Sequence, residues 1–531
     1  MSRVMMCMLL LAIYPVSAFS HQVADSDADS GAKKPPHIIF FLVDDLGWQD
    51  TALRLHSEGP EFQPSYRTPH LQRLAREGMV FTDAYASSPV CTPTRTSVMT
   101  GRSPQANDIT YWILKKDQDT GGARGGTQPP VWNMNGLQPG DVTLPQLLRE
   151  QGYTTIHAGK AHLGAHGTKG SNPENLGFDV NIGGHASGAP SDYRGSRNYA
   201  KDPENPGARV WDVPGLEKYH GKEVYLTEAL ALESAAAIYN ACHHDRPFFL
   251  HFAPYAVHTP IIANDRHLDD YEGLPKVEAA YATMIESVDH ALGVLLESLG
   301  QLGILDETLI VFTSDNGGLA AHGRAGKAHV QNHPLASGKG SALEGGTRIP
   351  LVFRWPGMIE AGTRCEIPVI SHDHFPTLLK VAGAACPQEH LEKVEGVDLV
   401  PLLTGQVPAK EWRERALYWH MPHFWGPRGP GIQPFSSIRK GPWKLIYYHH
   451  PEPRRVLYHL GKDIGEKHDR AADESEKMEE LSADLGRHLR EIGASLPSRN
   501  GQMIPWPDAL KKQTKTKLKA LEDDEQKKSE R

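Results

Sequence analysis

The sequence predicts an α/β fold: a large, mostly parallel sheet flanked by helices, followed by a small α+β region with an antiparallel sheet. Three observations carry this expectation. Apolar runs that stop at polar residues alternate with amphipathic helical patterns from residue 37 to about 405. Beyond about residue 405 the texture changes to short alternating runs, "ALYWHMPHFW", "SSIRKGPWKLIYYHH" and "RRVLYHL", and then one amphipathic helix, "SEKMEELSADLGRHLREIG". A chain of 531 residues also exceeds one simple core.

Along the chain, residues 1–18 read as a secretory signal peptide: Arg3 precedes an apolar run, and the small residues of "VSA" suit a cut near Ala18. The run is too short for the roughly 20 residues a membrane span needs, so a secreted or periplasmic protein without a span is expected. Residues 19–36 form a polar arm, 37–405 the main domain, 406–500 the small α+β unit, and 501–531 a charged, solvated tail. At 39% hydrophobic and 23% charged the composition is that of an ordinary globular protein. A net charge of -8 and a pI near 6.4 leave no footprint for nucleic acid or anionic lipid. Cys91, Cys242, Cys365 and Cys386 are too few for a disulfide scaffold, and the sequence leaves open whether Cys365 and Cys386 pair.

Four strands of the main domain end in chemistry. "HIIFFLVDD" ends at Asp44 and Asp45, "GYTTIHAGKAHLG" at Lys160 and His162, "RPFFLHFAPYAVHTP" at His258, and "TLIVFTSDNGG" at Asp315 and Asn316. Between them lie the helical patterns "TPHLQRLAREG", "TLPQLLREQG" and "YATMIESVDHALGVLLESLGQLG". Ligands of open α/β sheets bind at the carboxyl ends of the strands. A fifth feature is "CTPTR". Thr92 suits an N-cap, Pro93 the first helical position and Gly101 a C-cap, so Cys91 sits at a helix N-terminus, which favours an anion, and Arg95 follows one turn later. That is an anion site with a nucleophile beside it, although a bare thiolate oxidises readily in an exported protein.

Here the sequence resembles the type I sulfatases of the arylsulfatase A kind, in the alkaline phosphatase superfamily. "CTPTR" fits their C-x-P-x-R signature. "DDLG", "GKAHLG", "HTP", "SDNGG" and "GKG" follow the family order across residues 37 to 500. The resemblance implies an alkaline phosphatase-like fold and hydrolysis of sulfate esters. It implies that a formylglycine-generating maturation enzyme oxidises Cys91 to an aldehyde, whose hydrate offers two hydroxyls, one to attack sulfur and one to let the sulfated adduct collapse. It further implies one Ca²⁺ per chain, held by Asp44, Asp45, Asp315, Asn316 and the oxygen derived from Cys91. These are hard oxygen donors that suit Ca²⁺ or Mg²⁺ and do not suit zinc. Arg95 would steady the aldehyde hydrate, Lys160 and Lys339 would neutralise the sulfate, His258 would assist the leaving oxygen, His162 the collapse, and Asp315 would take the nucleophile's proton. His185 or Ser187 stands where some relatives place a substrate contact. Two departures are Ala161, where many relatives have Trp, and Thr94, where Ser is commoner.

The loops 103–140 and 183–222 carry Tyr111, Trp112, Trp132, Tyr193, Tyr199 and Trp211, aromatic faces that pack on sugar rings. A sulfated carbohydrate is therefore the expected substrate, ahead of a small aryl sulfate. His420 and His423 lie where the small unit could overhang the site, either touching substrate or simply packing; His251 reads as a satisfied core histidine. The same motifs leave two alternatives: a formylglycine-dependent phosphonate or phosphodiester hydrolase, and a non-catalytic binder of sulfated glycans.

Overall fold

A computed structural model describes residues 34–510 apart from 57–65, 322, 325, 327, 328, 407 and 408. The signal peptide, most of the arm, and the tail beyond residue 510 lie outside the described residues. The strands in chain order are β1 (His37–Val43), β2 (Met79–Tyr85), β3 (Thr127–Gln128), β4 (Thr154–Gly159), β5 (Val180–Ile182), β6 (Phe248–Ala253), β7 (Thr308–Ser314), β8 (Arg348–Arg354), β9 (Thr363–Cys365), β10 (Val369–Ile370), β11 (Ala416–Met421), β12 (Phe435–Lys440), β13 (Trp443–Tyr448), β14 (Arg454–His459), β15 (Ser498–Arg499) and β16 (Gln502–Met503).

The large sheet runs β10-β2-β8-β7-β1-β6-β4-β5, with β9 sharing the outer edge of β2. Its pairings are parallel except where β8 runs against both β7 and β2. β1 shows why these strands read as unbroken apolar runs. Ile39, Phe41 and Val43 enter one core cluster, Ile38, Phe40 and Leu42 the other, so both faces are covered. On the first face pack the helices Pro69–Arg76, Leu226–His243 and Lys276–Gln301, and on the second Cys91–Thr100, Leu144–Glu150 and His374–Ala382. The helices expected from the sequence are all present, the longest starting five residues before Tyr281.

The small sheet, β11-β12-β13-β14, is antiparallel throughout. The helix Ser475–Glu491 covers one face with Leu481, Leu485 and Leu489, spaced by one helical turn. Its other face is buried as well. Ile446, Tyr448, Leu417, Trp419 and Met421 pack with Tyr85 and Val90 of the large domain, and Trp419 Nε1 donates to Ala86 O at 2.8 Å. A third, three-stranded ladder joins β3 to β15 and β16. Four cysteines, Cys91, Cys242, Cys365 and Cys386, are free thiols, so Cys365 and Cys386 do not pair.

Candidate active site

The register of the large sheet gathers the site. β7, β1, β6 and β4 are consecutive neighbours and all parallel, so their carboxyl ends share one edge. Val43 is level with Ser314, which sets Asp44 and Asp45 beside Asp315 and Asn316. Asp45 N donates to Asp315 Oδ1 at 3.2 Å across 270 residues of sequence, and Asn316 Nδ2 donates to Asp45 Oδ1 at 2.8 Å. Asp45 adopts a left-handed φ of 60°, which a short acidic side chain tolerates.

Each carboxylate of the floor meets a cation. Lys160 Nζ lies 2.8 Å from both oxygens of Asp44, and Lys339 Nζ 2.6 Å from Asp45 Oδ1. Arg95 Nε donates to Asp315 Oδ2 at 2.8 Å and its Nη1 to Lys160 O at 2.7 Å. Arg95, Lys160, Asp44, Asp315 and Asn316 are all 0% exposed. From the residues alone, three uncompensated carboxylates would repel one another; the structure corrects this, because three carboxylates face three cations. Burial raises the cost of charging Asp45, yet Lys339, with His258 and Lys160, holds it below the ordinary carboxylate range. Arg95 and Lys160 do the same for Asp315 against its burial.

Cys91 opens the helix Cys91–Thr100 at its first residue, with Val90 as N-cap and Gly101 in the left-handed region at φ 71°. Thr92 is therefore inside the helix and is not the cap expected of it, and Pro93 is the third helical residue, not the first. The Thr92 hydroxyl turns instead to His162 Nδ1 at 3.2 Å, while His162 Nε2 donates to Ile113 O at 2.8 Å, so both ring nitrogens of His162 are engaged. Burial, then Lys160, pushes His162 well below its ordinary value and keeps it neutral. Thr94 Oγ1 bonds both N and O of Ser88 and ties down the chain entering the helix. His258 Nδ1 donates to Thr259 O at 2.7 Å, which leaves Nε2 facing Asp45 Oδ2 at 3.7 Å. Burial and Lys339 lower His258 to about 3. Asp44, Asp45 and His258 bring ligand atoms within 4.8 Å of one another. Asn316 Oδ1 is buried without a partner among the described residues. A buried, unpaired carbonyl oxygen beside carboxylates is a donor set that fits a hard cation.

A cavity of about 460 Å³ opens above this floor, lined by Asp45, Cys91, His162, His258 and Lys339 from the expected set, and by Trp112, Trp211, Thr259, Leu319 and Trp425 among others. Arg95, Lys160, Asp44, Asp315 and Asn316 stand behind the lining. His185 does not reach the lining; its carbonyl accepts from His162 N at 3.1 Å and its ring lies beside Tyr255. Ser187 Oγ closes a turn on Ala189 O. Among the loop aromatics, Trp112 and Trp211 line the cavity, whereas Tyr111, Trp132, Tyr193 and Tyr199 are core. Tyr193 does act on the site from beneath, its hydroxyl directed at the carbonyls of Tyr255 and His258. His420 bonds Ser436 and Ser495 O, and His423 bonds Thr110 and stacks on Tyr111, so both pack and neither lines the cavity. What the small unit does supply is Trp425, two positions beyond His423, and Pro427, in the loop Trp-Gly-Pro. His251 is only half satisfied: its Nδ1 lies 3.0 Å from His157 Nδ1, and its Nε2 has no partner among the described residues.

A sequence model of the family described as Sulfatase matches residues 36–384, two thirds of the chain. The chain belongs to the sulfatase family. A second model, N-sulphoglucosamine sulphohydrolase, C-terminal, matches residues 339–495 of this sulfatase. It is 30% identical to N-acetylgalactosamine-6-sulfatase of Mus musculus, covering 85% of each chain. It is 31% identical to arylsulfatase A of Bos taurus, over 79% of this chain and 76% of the relative. Among solved structures it is similar to Ps i-CgsB in complex with k-i-k-neocarrahexaose, at a TM-score of 0.68 and 26% identity, covering 89% of this chain and 95% of that one. The protein is a sulfuric ester hydrolase with the fold of these sulfatases.

Proposed function

We propose that this sulfatase hydrolyses sulfate monoesters of sulfated carbohydrates outside the cytoplasm, with position 91 matured to formylglycine and Ca²⁺ at the carboxylate floor. The observation that carries the reading is the placement of Cys91, at a helix N-terminus and beside Lys339, on the floor of a cavity walled by Trp112, Trp211 and Trp425. Aromatic walls with few polar groups suit a sugar ring, and the relatives named above include carbohydrate sulfatases.

The oxygens of Asp44, Asp45, Asp315 and Asn316 would hold the cation, and bound there it supplies Lewis-acid polarisation of a sulfate oxygen. Formylglycine supplies a hydroxyl nucleophile and a second hydroxyl that permits release of sulfate. The chain's own residues do the rest. The ammonium of Lys339 faces the cavity and neutralises the charge of the ester, and the backbone N–H groups that open the helix at Cys91 point at the same charge. Arg95, fixed by Asp315 and Lys160 O, holds the Asp315 carboxylate in place, and Asp315 accepts the proton of the attacking hydroxyl. Lys160, bound to Asp44, keeps the floor from accumulating negative charge. His258 presents Nε2 to the leaving oxygen, and Thr259 O fixes the orientation of its ring. Chain segments 37–405 and 406–500 act in this reading as the catalytic domain and a C-terminal α+β subdomain that supplies part of the cavity wall.

The test is hydrolysis of a panel of defined sulfated saccharides by protein co-expressed with a formylglycine-generating enzyme. Mass spectrometry of the peptide containing Cys91 should show a loss of about 18 Da, as thiol becomes aldehyde. Release of sulfate from at least one saccharide is expected. Fully matured protein that leaves every saccharide intact but cleaves a phosphonate monoester overturns the reading.

A further inference from the structure

We propose that Trp425 determines specificity for the sugar ring that carries the ester, a role that rests on the saccharide reading above. The residue lies in the loop between β11 and β12, so the small sheet supplies one wall of a cavity whose floor belongs to the large sheet. Its ring is held in place from several directions. Tyr111 meets it edge-on at 6.1 Å between centroids and 81° between planes. Lys339 Nζ stands 5.5 Å from the ring centroid. Gly340, at φ 85°, lets the backbone approach so closely that a Cβ there would fall 2.3 Å from Trp425 Cδ1. Glycine in "GKG" is thus required twice, by its conformation and by the indole against it.

Two features turn this from packing into recognition. Lys339 Nζ pairs with Asp45 on the floor and also stands over the indole, which puts Trp425 within one sugar ring of the group that neutralises the sulfate. In addition, Trp425 Nε1 is shielded from solvent and has no acceptor among the described residues, although the ring lines the cavity. A buried N–H without a partner is costly, and a small turn of the indole that opens Nε1 to the cavity would let a sugar hydroxyl accept from it. An indole offers a pyranose both an apolar face for its C–H groups and one directed donor, so Trp425 discriminates by ring shape and by the hydroxyl it reads.

The experiment compares matured wild type with Trp425→Ala and Trp425→Phe. It uses a sulfated monosaccharide turned over by the wild type, with inorganic sulfate as a competitive probe of the floor alone. Trp425→Ala should raise KM for the saccharide about tenfold or more, the loss of a stacking surface and one hydrogen bond, while Ki for sulfate changes less than about twofold. Trp425→Phe should recover part of the loss, because it restores a ring without the donor. An unchanged saccharide KM in Trp425→Ala overturns the proposal. So does a parallel rise of KM and sulfate Ki in both variants, which would make the indole a mere support for Lys339. Should the alanine variant fail to fold, Trp425→Phe decides alone, and a KM equal to wild type overturns the role of the donor. A wild type inactive on every sulfated saccharide fails before any substitution is made, and so marks a failure of the functional reading itself.

Discussion

On the floor of the site, Asp44, Asp45 and Asp315 are each clasped by Lys160, Lys339 or Arg95 at 2.6 to 2.8 Å, and the groups behind the lining are fully buried. On the wall, Trp112, Trp211 and Trp425 come from three separate loops and remain partly exposed. The floor is a balanced charge lattice whose members fix one another, and the loss of one leaves a buried charge uncompensated. The wall is a set of surfaces without mutual bonds, and Trp425 keeps an unpaired donor. In the proposed reading, chemistry common to sulfate esters belongs to the first and choice among esters to the second.

The sharpest way to break this division is at the nucleophile. Cys91→Ser should fold with an unchanged melting temperature yet lose turnover by on the order of 10³-fold or more, as deletions of a covalent nucleophile do, because one hydroxyl attacks once and stays sulfated. Steady-state assay with the serine confirmed by mass spectrometry checks it, and near-wild-type turnover would refute the role of position 91. Next come the floor charges. Asp315→Asn strands Arg95, so it should cost roughly 10²-fold or more in turnover, the scale of losing one electrostatic contact at a developing charge, and exceed the loss in Asn316→Ala. Chelator should abolish activity, with Ca²⁺ restoring it better than Zn²⁺. Calcium should also raise the melting temperature of wild type and not of Asp45→Asn, a readout independent of turnover.

Wall variants should separate from these by their kinetics. Trp112→Ala should raise KM for a saccharide several-fold with little change in kcat, a loss of uniform binding. Gly340→Ala joins the two regions, since its Cβ collides with Trp425 beside Lys339. It should raise KM and also lower stability by about 1–3 kcal/mol, measured by urea unfolding.

The smallest effect lies at the joint between the sheets, where Lys444 of β13 meets Glu344 at 2.9 Å and Glu466 at 3.0 Å. Burial pushes Glu466 up to about 7, with Lys444 pulling against it and Glu344 adding to the rise. A raised carboxyl stabilises the fold fully below its unfolded value of about 4.3, and that stability is lost as pH rises through 7. From pH 5 to pH 8 the wild type should therefore lose more melting temperature than Glu466→Gln, by on the order of 1–2 °C. Equal slopes in the two proteins would exclude a titrating joint.

Much of the floor was legible in the sequence for a local reason. A strand covered on both faces is an unbroken apolar run, so the first polar residues after it, such as Asp44, Lys160 or Asp315, announce themselves and fall on one edge of a parallel sheet. The helix at Cys91 and its Gly101 cap were equally local, although Val90, with an extended backbone, and not Thr92, proved to be the N-cap. The pairing of Asp44 with Lys160 and of Asp45 with Lys339 could not be read, since charge balance depends on side chains 116 and 294 residues apart.

The wall lay beyond local pattern altogether. Tyr111, Trp112, Trp132 and Trp211 look alike as loop aromatics, yet Tyr111 donates to Phe424 O across 313 residues and is core, while its neighbour Trp112 faces the cavity. The same docking of the small sheet turned His423 inward onto Tyr111 and carried Trp425 to the wall of the cavity. Sequence by itself determined which residues end the strands, because hydrophobic periodicity is a property of consecutive residues. Only the tertiary structure decided which loop aromatics are buried and which line the cavity, because that depends on which surface, hundreds of residues away, comes to cover them.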